Sequence, residues 1–176
     1  MTALVFGGSG SGKSAYGEAL AQSLAGSGPL IYLATMEPAG READGRIARH
    51  RAQRAGKGFL TVERSRDLGA CLIPEGATVL LEDLGNWAAN ELFSPGQPTW
   101  EQTYEHMRKV LKTLMRKARN LVVISVDIHR DGGTYPPETE YYLSLLAALH
   151  KDLGAWCGQV TEVVCGIPVI WKGEPI

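Results

Sequence analysis

Gly7-Gly8-Ser9-Gly10-Ser11-Gly12-Lys13-Ser14 is the stretch that decides the fold, because it matches the phosphate-binding pattern G-x-x-x-x-G-K-[ST]. Glycines let the backbone N–H groups turn inward and form a concave nest for an anion. In such a loop the lysine binds the β- and γ-phosphates, and the final hydroxyl is a ligand for Mg²⁺. The stretch predicts that this chain binds a nucleoside triphosphate, with Ser14 at the metal.

The residues around this loop favour the same interpretation, because such a loop joins a strand to a helix. Residues 3–6 form a short apolar run typical of a buried strand, and residues 14–24 have helix-forming composition. Further strands are predicted at 29–35, 59–63, 78–83 and 121–126, with a terminal strand pair at 160–165 and 169–171. Helices are predicted at 41–56, 85–93, 99–119 and 138–153. Strands that alternate with helices indicate a mainly parallel α/β sheet covered on both faces.

The composition of the chain excludes several classes of protein. With 176 residues and a formal net charge of −1, a single domain over residues 1–176 is expected, with no nucleic-acid partner. The N-terminus lacks a basic signal-peptide start, and no apolar stretch approaches the ~20 residues of a membrane span. Cys71, Cys157 and Cys165 lack C-x-x-C spacing, so we expect buried free thiols rather than a zinc site or disulfides. These features predict a cytoplasmic protein.

Carboxylates at strand ends are the candidates for organising Mg²⁺ next to the loop. Glu82 and Asp83 close the apolar run that starts at residue 78, and Asp127 follows the run at 121–126. Each of them has an alternative role as an acidic cap of a strand or helix. We expect at least one to serve the metal, because triphosphate and cation are bound together in such sites.

The basic segment 41–56 is unusual because it surrounds a histidine with arginines. Arg46, His50 and Arg54 share one face of a helix, and Arg49 and Arg51 flank the histidine. A neutral imidazole is a good nucleophile toward phosphorus, and neighbouring guanidinium groups lower its pKa and bind phosphate oxygens. The alternative is a solvated basic helix with an incidental histidine.

The other histidines lack a comparable setting. His106 lies within the long predicted helix, and His150 is expected to end a helix, where a cation suits the dipole. Both are interpreted as structural or surface residues. His129 follows a predicted strand in a loop, which is a position from which it could approach the site.

Several motifs in a fixed order resemble one known family. They are V-F-G-G-S-G-S-G-K-S at 5–14, I-Y-L-A-T at 31–35, R-I-A-R-H-R at 46–51, T-V-E at 61–63, L-L-E at 80–82, N-E-L-F at 90–93 and V-V-C-G-I-P at 163–168. Together they resemble the bifunctional adenosylcobinamide kinase/adenosylcobinamide-phosphate guanylyltransferases of cobalamin biosynthesis. The phosphate loop is common to many families, whereas R-I-x-x-H at this distance after it is far more specific.

The resemblance implies a RecA-like P-loop domain with two activities. Such enzymes phosphorylate adenosylcobinamide with ATP or GTP, attach GMP from GTP to a histidine, and transfer it to give adenosylcobinamide-GDP. His50 occupies the position of the guanylylated histidine. The positions that match nucleotide contacts are Gly7 to Ser14, Thr35, Met36, Glu37, Arg51, Ala52, Gln53, Glu63 and Glu82. Members of the family are typically homotrimers.

Two other functions remain open from the sequence. One is a P-loop kinase of another small molecule in which His50 is inert. The other is a nucleotide-dependent regulatory ATPase or GTPase in which hydrolysis drives a switch. For the bifunctional enzyme, Ser14, Glu82 and Asp83 are the predicted Mg²⁺ ligands, and Asp83 and Asp127 are the possible bases of the kinase step.

Overall fold

Seven strands form one sheet in the order β3-β2-β4-β5-β1-β6-β7. The computed structural model describes residues 1–37, 56–96, 98–128 and 133–174. The strands and helices are β1 Thr2–Gly7, α1 Lys13–Ala25, β2 Leu30–Ala34, β3 Leu60–Glu63, β4 Thr78–Glu82, α2 Leu84–Leu92, α3 Trp100–Lys117, β5 Asn120–Val126, α4 Pro137–Trp156, β6 Gln159–Val164 and β7 Ile167–Lys172.

The sheet is parallel except at one edge. Strands β1 to β6 pair in parallel, and β7 pairs antiparallel with β6. Strand β5 lies between β1, which leads into the phosphate loop, and β4, which ends in Glu82. The predicted α/β class is confirmed, with a mainly parallel sheet and a C-terminal strand pair.

Each face of the sheet is covered by helices because the buried strands are apolar on both faces. Helix α1 packs on one face, where Ala3 and Val5 of β1 meet Leu20 and Ala21. Helices α2, α3 and α4 cover the other face and share the larger apolar cluster. The period of two along each strand thus divides the core into two layers, and the loops at the carboxyl ends of the strands meet at one edge.

The long helix α3 begins and ends where its sequence indicates. The Thr99 hydroxyl accepts a hydrogen bond from the Gln102 N–H at 3.3 Å, and the Gln102 side chain accepts one from the Thr99 N–H at 3.0 Å. This reciprocal capping box satisfies two N–H groups at the start of the helix. Glu101 in the first turn and Arg116 and Lys117 in the last complement the helix dipole.

Three sequence-based expectations need correction. The connection of the terminal strand pair is shorter than the three residues predicted between 165 and 169. Only Cys165 and Gly166 separate β6 from β7, so the pair is a tight hairpin. Both have positive φ, 50° and 81°, as a two-residue hairpin turn requires. Cys165 is exposed, so the expectation of three buried thiols is wrong for this residue, although Cys71 and Cys157 are buried. His150 does not end its helix, which continues to Trp156.

The predicted basic helix at 41–56 falls almost entirely on residues 38–55, which lie outside the described residues, as does His129. Within the described ranges, no helix is both long and apolar enough to cross a membrane.

Candidate nucleotide-binding site

The phosphate loop lies between β1 and α1, at the carboxyl edge of the sheet. A Cβ at Gly7 would lie 2.5 Å from the Val163 carbonyl oxygen and 2.7 Å from the Ser11 Oγ. These distances are shorter than any real contact, so the position requires glycine. Gly12 has φ 92° directly before α1, a conformation that glycine adopts without strain. Backbone geometry therefore explains the glycines at positions 7 and 12 of the motif.

The turn of the β6–β7 hairpin packs against this loop. The Gly166 N–H donates a hydrogen bond to the Ser11 carbonyl oxygen at 2.8 Å. A Cβ at Gly12 would lie 3.3 Å from the Gly166 Cα, which shows how closely the two backbones approach. Gly166 was not among the predicted site residues, because it reaches the loop only through the pairing of β6 with β1.

Ser14 connects the phosphate loop to the end of β4. Its hydroxyl donates to Oε1 of Glu82 at 2.5 Å, and the Tyr32 hydroxyl donates to Oε2 of the same carboxylate at 2.5 Å. Lys13 Nζ donates to the Gly8 carbonyl oxygen at 3.2 Å, so this ammonium group lies over the loop. The structure therefore brings together the lysine, the hydroxyl and the carboxylate that the sequence analysis singled out.

Asp83 has a different environment from Glu82, although the two are neighbours. It is the N-cap of α2, and its Oδ1 accepts a hydrogen bond from the Asn86 N–H at 2.6 Å. Burial raises the pKa of the Asp83 carboxyl above its ordinary value, and the charge of Glu82 raises it further. The peptide bond between Glu82 and Asp83 is cis. Asp83 thus has the capping role that the sequence analysis kept open for it.

The turn after β2 is fixed to the ends of β4 and α2. Thr35 is fully buried, its N–H donates to the Glu82 carbonyl oxygen at 3.0 Å, and its hydroxyl donates to the Asp83 carbonyl oxygen at 2.8 Å. The Asn90 side chain donates to the Thr35 carbonyl oxygen at 2.8 Å and to that of Ser65 at 3.2 Å. Asn90 was not among the predicted site residues, although it belongs to the N-E-L-F motif.

Glu37, in the same turn, contacts the segment that follows β3. Its carboxylate accepts a hydrogen bond from the Ser65 hydroxyl at 3.0 Å and forms an ion pair with Arg66 at 3.1 Å. Glu63 is exposed at the end of β3, opposite Ala34 of β2. These residues lie at the carboxyl edge that also holds the phosphate loop, which is where ligands bind in open α/β sheets.

Asp127 lies beside the loop at the end of β5. Its N–H donates to the Gly7 carbonyl oxygen at 3.0 Å. Because β5 separates β1 from β4, Asp127 lies at the edge between the phosphate loop and Glu82. It therefore remains, together with Asp83, a possible base of the kinase step.

Two histidines have structural contacts. His150 packs beneath the sheet, where its Nε2 forms a 2.7 Å hydrogen bond with the Ser125 hydroxyl, and its ring centroid lies 6.4 Å from that of Phe6. The structural interpretation of His150 therefore rests on contacts with the sheet and not on the helix dipole. His106 lies 3.8 Å from the Glu91 carboxylate at the surface.

Four of the predicted site residues lie outside the described ranges, namely His50, Arg51, Ala52 and Gln53. Their roles stay predictions. The others, from Gly7 to Ser14 and from Thr35 to Glu37, with Glu63, Glu82 and Asp83, all lie at the carboxyl edge of the sheet. Within the described residues, no three His, Cys, Asp or Glu side chains form a cluster that could hold a metal by protein ligands alone.

Comparison with known proteins identifies the family. A sequence model of CobU, described as cobinamide kinase / cobinamide phosphate guanyltransferase, matches residues 3–170. The chain belongs to the CobU family. It is also 31% identical over 182 residues to the bifunctional adenosylcobalamin biosynthesis protein CobP of Pseudomonas aeruginosa, and the match covers 100% of both chains. Family membership favours the bifunctional enzyme over the two other functions that the sequence left open.

Two solved structures match most of the length of this chain. One is the flagellar accessory protein FlaH from Methanocaldococcus jannaschii, at 10% identity and a TM-score of 0.48, covering 98% of this chain and 78% of the other. The other is the ATPase domain of G40P, at 8% identity and a TM-score of 0.49, covering 92% of this chain and 68% of the other.

Proposed function

We propose that this CobU-family chain phosphorylates adenosylcobinamide with ATP or GTP and then transfers GMP from GTP to the product, through a guanylylated His50, to give adenosylcobinamide-GDP. The observation that carries the proposal is the contact between Ser14 at the phosphate loop and Glu82 at the end of β4. This contact joins the phosphate loop to a carboxylate at the end of β4, and it supports the proposal in a chain whose family description names both activities.

In the kinase step the chain supplies position and charge rather than a covalent intermediate. The N–H groups of the loop and Lys13 hold the β- and γ-phosphates. The corrinoid hydroxyl attacks the γ-phosphorus and its oxygen–phosphorus bond forms, while the bond to the β–γ bridging oxygen breaks. The hydroxyl proton passes to a base, for which Asp127, beside the loop, and the buried Asp83 are the candidates.

Mg²⁺ fits the oxygen donors at the loop. The Ser14 hydroxyl and the Glu82 carboxylate are hard oxygen ligands that lie in contact with each other. The triphosphate and water supply the other oxygens. When bound, the ion neutralises charge that develops on the phosphates. Asp83 fits less well as a direct ligand, because one of its oxygens already caps α2. We therefore propose that Ser14 and Glu82 hold the metal, and that Asp83 lies next to Glu82 without being a direct ligand.

In the guanylyl step we propose that His50 is the nucleophile. An imidazole nitrogen attacks the α-phosphorus of GTP, a nitrogen–phosphorus bond forms, and pyrophosphate leaves with the electrons of the α–β bridging bond. An oxygen of the corrinoid phosphate then attacks the same phosphorus, and the imidazole leaves. Arg49 or Arg51 supplies charge to the phosphate oxygens. We also propose that the protein works as a homotrimer, as the family resemblance implies, and that it works in the cytoplasm, as its composition predicts.

Product analysis tests both halves of the proposal. The protein is incubated with adenosylcobinamide, Mg²⁺ and GTP, and the corrinoids are separated by chromatography. We expect the wild type to form adenosylcobinamide phosphate and then adenosylcobinamide-GDP. His50→Ala should accumulate the phosphate, and Lys13→Met should form neither product. Formation of adenosylcobinamide-GDP by His50→Ala at the wild-type rate would contradict the covalent route.

A further inference from the structure

One side chain of α2 joins two segments at the carboxyl edge of the sheet. The Asn90 amide donates to the Thr35 carbonyl oxygen at 2.8 Å and to the Ser65 carbonyl oxygen at 3.2 Å. Thr35 follows β2, and Ser65 follows β3. Because a side-chain amide carries two N–H donors, Asn90 can bind both carbonyl groups at once. The turn after β2 and the segment after β3 are therefore held at a fixed separation.

Glu91, the next residue of α2, holds the far end of the same segment. Its Oε1 accepts hydrogen bonds from the Asp67 N–H at 2.9 Å and from Trp87 Nε1 at 2.8 Å. Trp87 is fully buried, so it gives the carboxylate a rigid support. Asp67 has φ 49°, a left-handed conformation that persists where surrounding contacts fix it. Asn90 and Glu91 together form a clamp, the α2 clamp, on residues 65–67.

The clamped segment in turn holds the carboxylate of Glu37. The Ser65 hydroxyl donates to Glu37 Oε1 at 3.0 Å, and the Arg66 guanidinium forms an ion pair with the same oxygen at 3.1 Å. The Glu37 side chain is 39% exposed, so a ligand at the carboxyl edge can contact it. Both contacts go to Oε1, and Oε2 of the same carboxylate can accept a donor from a ligand.

The distance of Glu37 from the phosphate loop suits the nucleoside part of a nucleotide. Two strands, β4 and β5, lie between β2 and β1. With neighbouring strands ~4.8 Å apart, the turn after β2 lies about 14 Å along the edge from the loop. A carboxylate repels phosphate oxygens, but it accepts hydrogen bonds from the N–H and O–H groups of a base or ribose. Glu37 can therefore bind the nucleoside while the loop binds the phosphates.

We propose that Asn90 and Glu91 are positioning residues for nucleotide binding, which hold Glu37 where its carboxylate accepts a hydrogen bond from the nucleoside of GTP. The inference rests on the proposed function. Without the α2 clamp the turn that carries Glu37 occupies other positions, and the apparent affinity for GTP falls with the fraction of molecules that remain competent to bind. Phosphate binding by the loop does not use the clamp, so a triphosphate without a nucleoside should bind as before.

Calorimetry with two ligands, GTP and inorganic tripolyphosphate, both with Mg²⁺, tests this difference. For Asn90→Ala we expect a GTP dissociation constant about tenfold higher than that of wild type, as the loss of two hydrogen bonds implies. The affinity for tripolyphosphate should be unchanged. Asn120→Ala is the matched control, because the Asn120 amide also donates to two oxygens, the Leu24 carbonyl and the Thr78 hydroxyl, but at the opposite edge of the sheet. It should lower the melting temperature and change neither affinity.

A double variant tests whether the α2 clamp acts through Glu37. Glu37→Ala should weaken GTP binding and leave tripolyphosphate binding unchanged. Adding Asn90→Ala to it should then weaken GTP binding only slightly further, because two substitutions that act on one contact are not additive. Ser65→Ala, which removes a contact to Glu37 without changing α2, should weaken GTP binding several-fold even if Asn90→Ala is too unstable to measure.

Three results would overturn the positioning role. They are wild-type affinity for GTP in Ser65→Ala and Asn90→Ala, an equal loss of affinity for both ligands, and full additivity in the double variant. Failure of the proposed function is a separate result. A wild type that shows the expected binding pattern but does not phosphorylate the corrinoid would overturn the proposed function and leave the α2 clamp standing.

Discussion

Gly166, in the hairpin turn between β6 and β7, donates its N–H to the carbonyl oxygen of Ser11 in the phosphate loop at 2.8 Å. The two residues are 155 positions apart in the sequence, and β6 pairs with β1 so that the turn lies against the loop. The last hairpin of the chain therefore supports the loop that its first strand introduces.

This relationship predicts opposite effects at two glycines. Gly166→Ala should lower the free energy of unfolding by about 1 kcal/mol, because φ is 81° there, and should weaken GTP binding by moving the turn away from Ser11. The matched control is Gly154→Ala in α4, where a Cβ meets open space and helix propensity should add about 0.5–1 kcal/mol. Urea unfolding and calorimetry measure both. Equal effects at the two positions would contradict the account.

The Tyr32 hydroxyl should contribute to both stability and the kinase rate through its hydrogen bond to Glu82. Tyr32→Phe keeps the ring against Phe59 but leaves Oε2 of Glu82 without this donor. We expect a loss of about 1 kcal/mol of stability and a several-fold lower kinase rate, because Glu82 loses one of its two hydroxyl contacts. Tyr141→Phe, at an exposed position of α4, is the control and should change neither quantity. Thermal unfolding and initial rates of corrinoid phosphorylation measure the difference.

Substitutions of Asp83 should test its role as the N-cap of α2 separately from the raised pKa of its carboxyl. Asp83→Ala should lower the free energy of unfolding by about 1 kcal/mol, because the Asn86 N–H loses its cap. Asparagine is itself a good N-cap, so Asp83→Asn should retain most of the stability of the wild type. Urea unfolding at neutral pH tests the cap. Similar losses for the two variants would show that the cap contributes little.

The contribution of the Asp83 carboxyl to the stability of the protein should change with pH in one direction. Its carboxyl has a folded-state pKa above the ordinary value of 3.8, so the folded protein binds this proton more tightly than the unfolded chain. Its contribution to stability is greatest below that ordinary value and declines as the pH rises through the folded pKa. The stability of Asp83→Asn relative to wild type should therefore increase with pH across this window and then level off. A difference that decreases with pH would contradict the burial argument.

The three thiols should differ in reactivity. Burial raises the pKa of Cys157 to about 12 and raises that of Cys71, whereas Cys165 is exposed at the hairpin turn. A thiol reagent applied to the folded protein should modify one cysteine per chain, which peptide mapping should place at Cys165. Cys165→Ser should then react only after denaturation. Rapid modification of Cys157 in the folded protein would show that the described packing of α4 is wrong.

The sheet and much of the site edge were predictable because the signals are local. Apolar runs located the strands, the glycine-lysine-serine motif located the loop, and carboxylates after a strand located Glu82. The contacts of Tyr32, Asn90 and Gly166 were not predictable from spacing, because each depends on which strands are neighbours in the sheet. The end of α4 was misplaced: the helix was predicted to stop at residue 153, but it continues to Trp156, whose side chain packs against the apolar core.

The central claim is that one phosphate loop serves a second reaction at the α-phosphate through His50. Incubation with GTP labelled in the α-phosphate, followed by denaturation, tests it most directly. The account predicts label that is labile in acid and stable in base on the wild type, and none on His50→Ala with GTP binding intact. Absence of label on both proteins, or equal label on both, would contradict it.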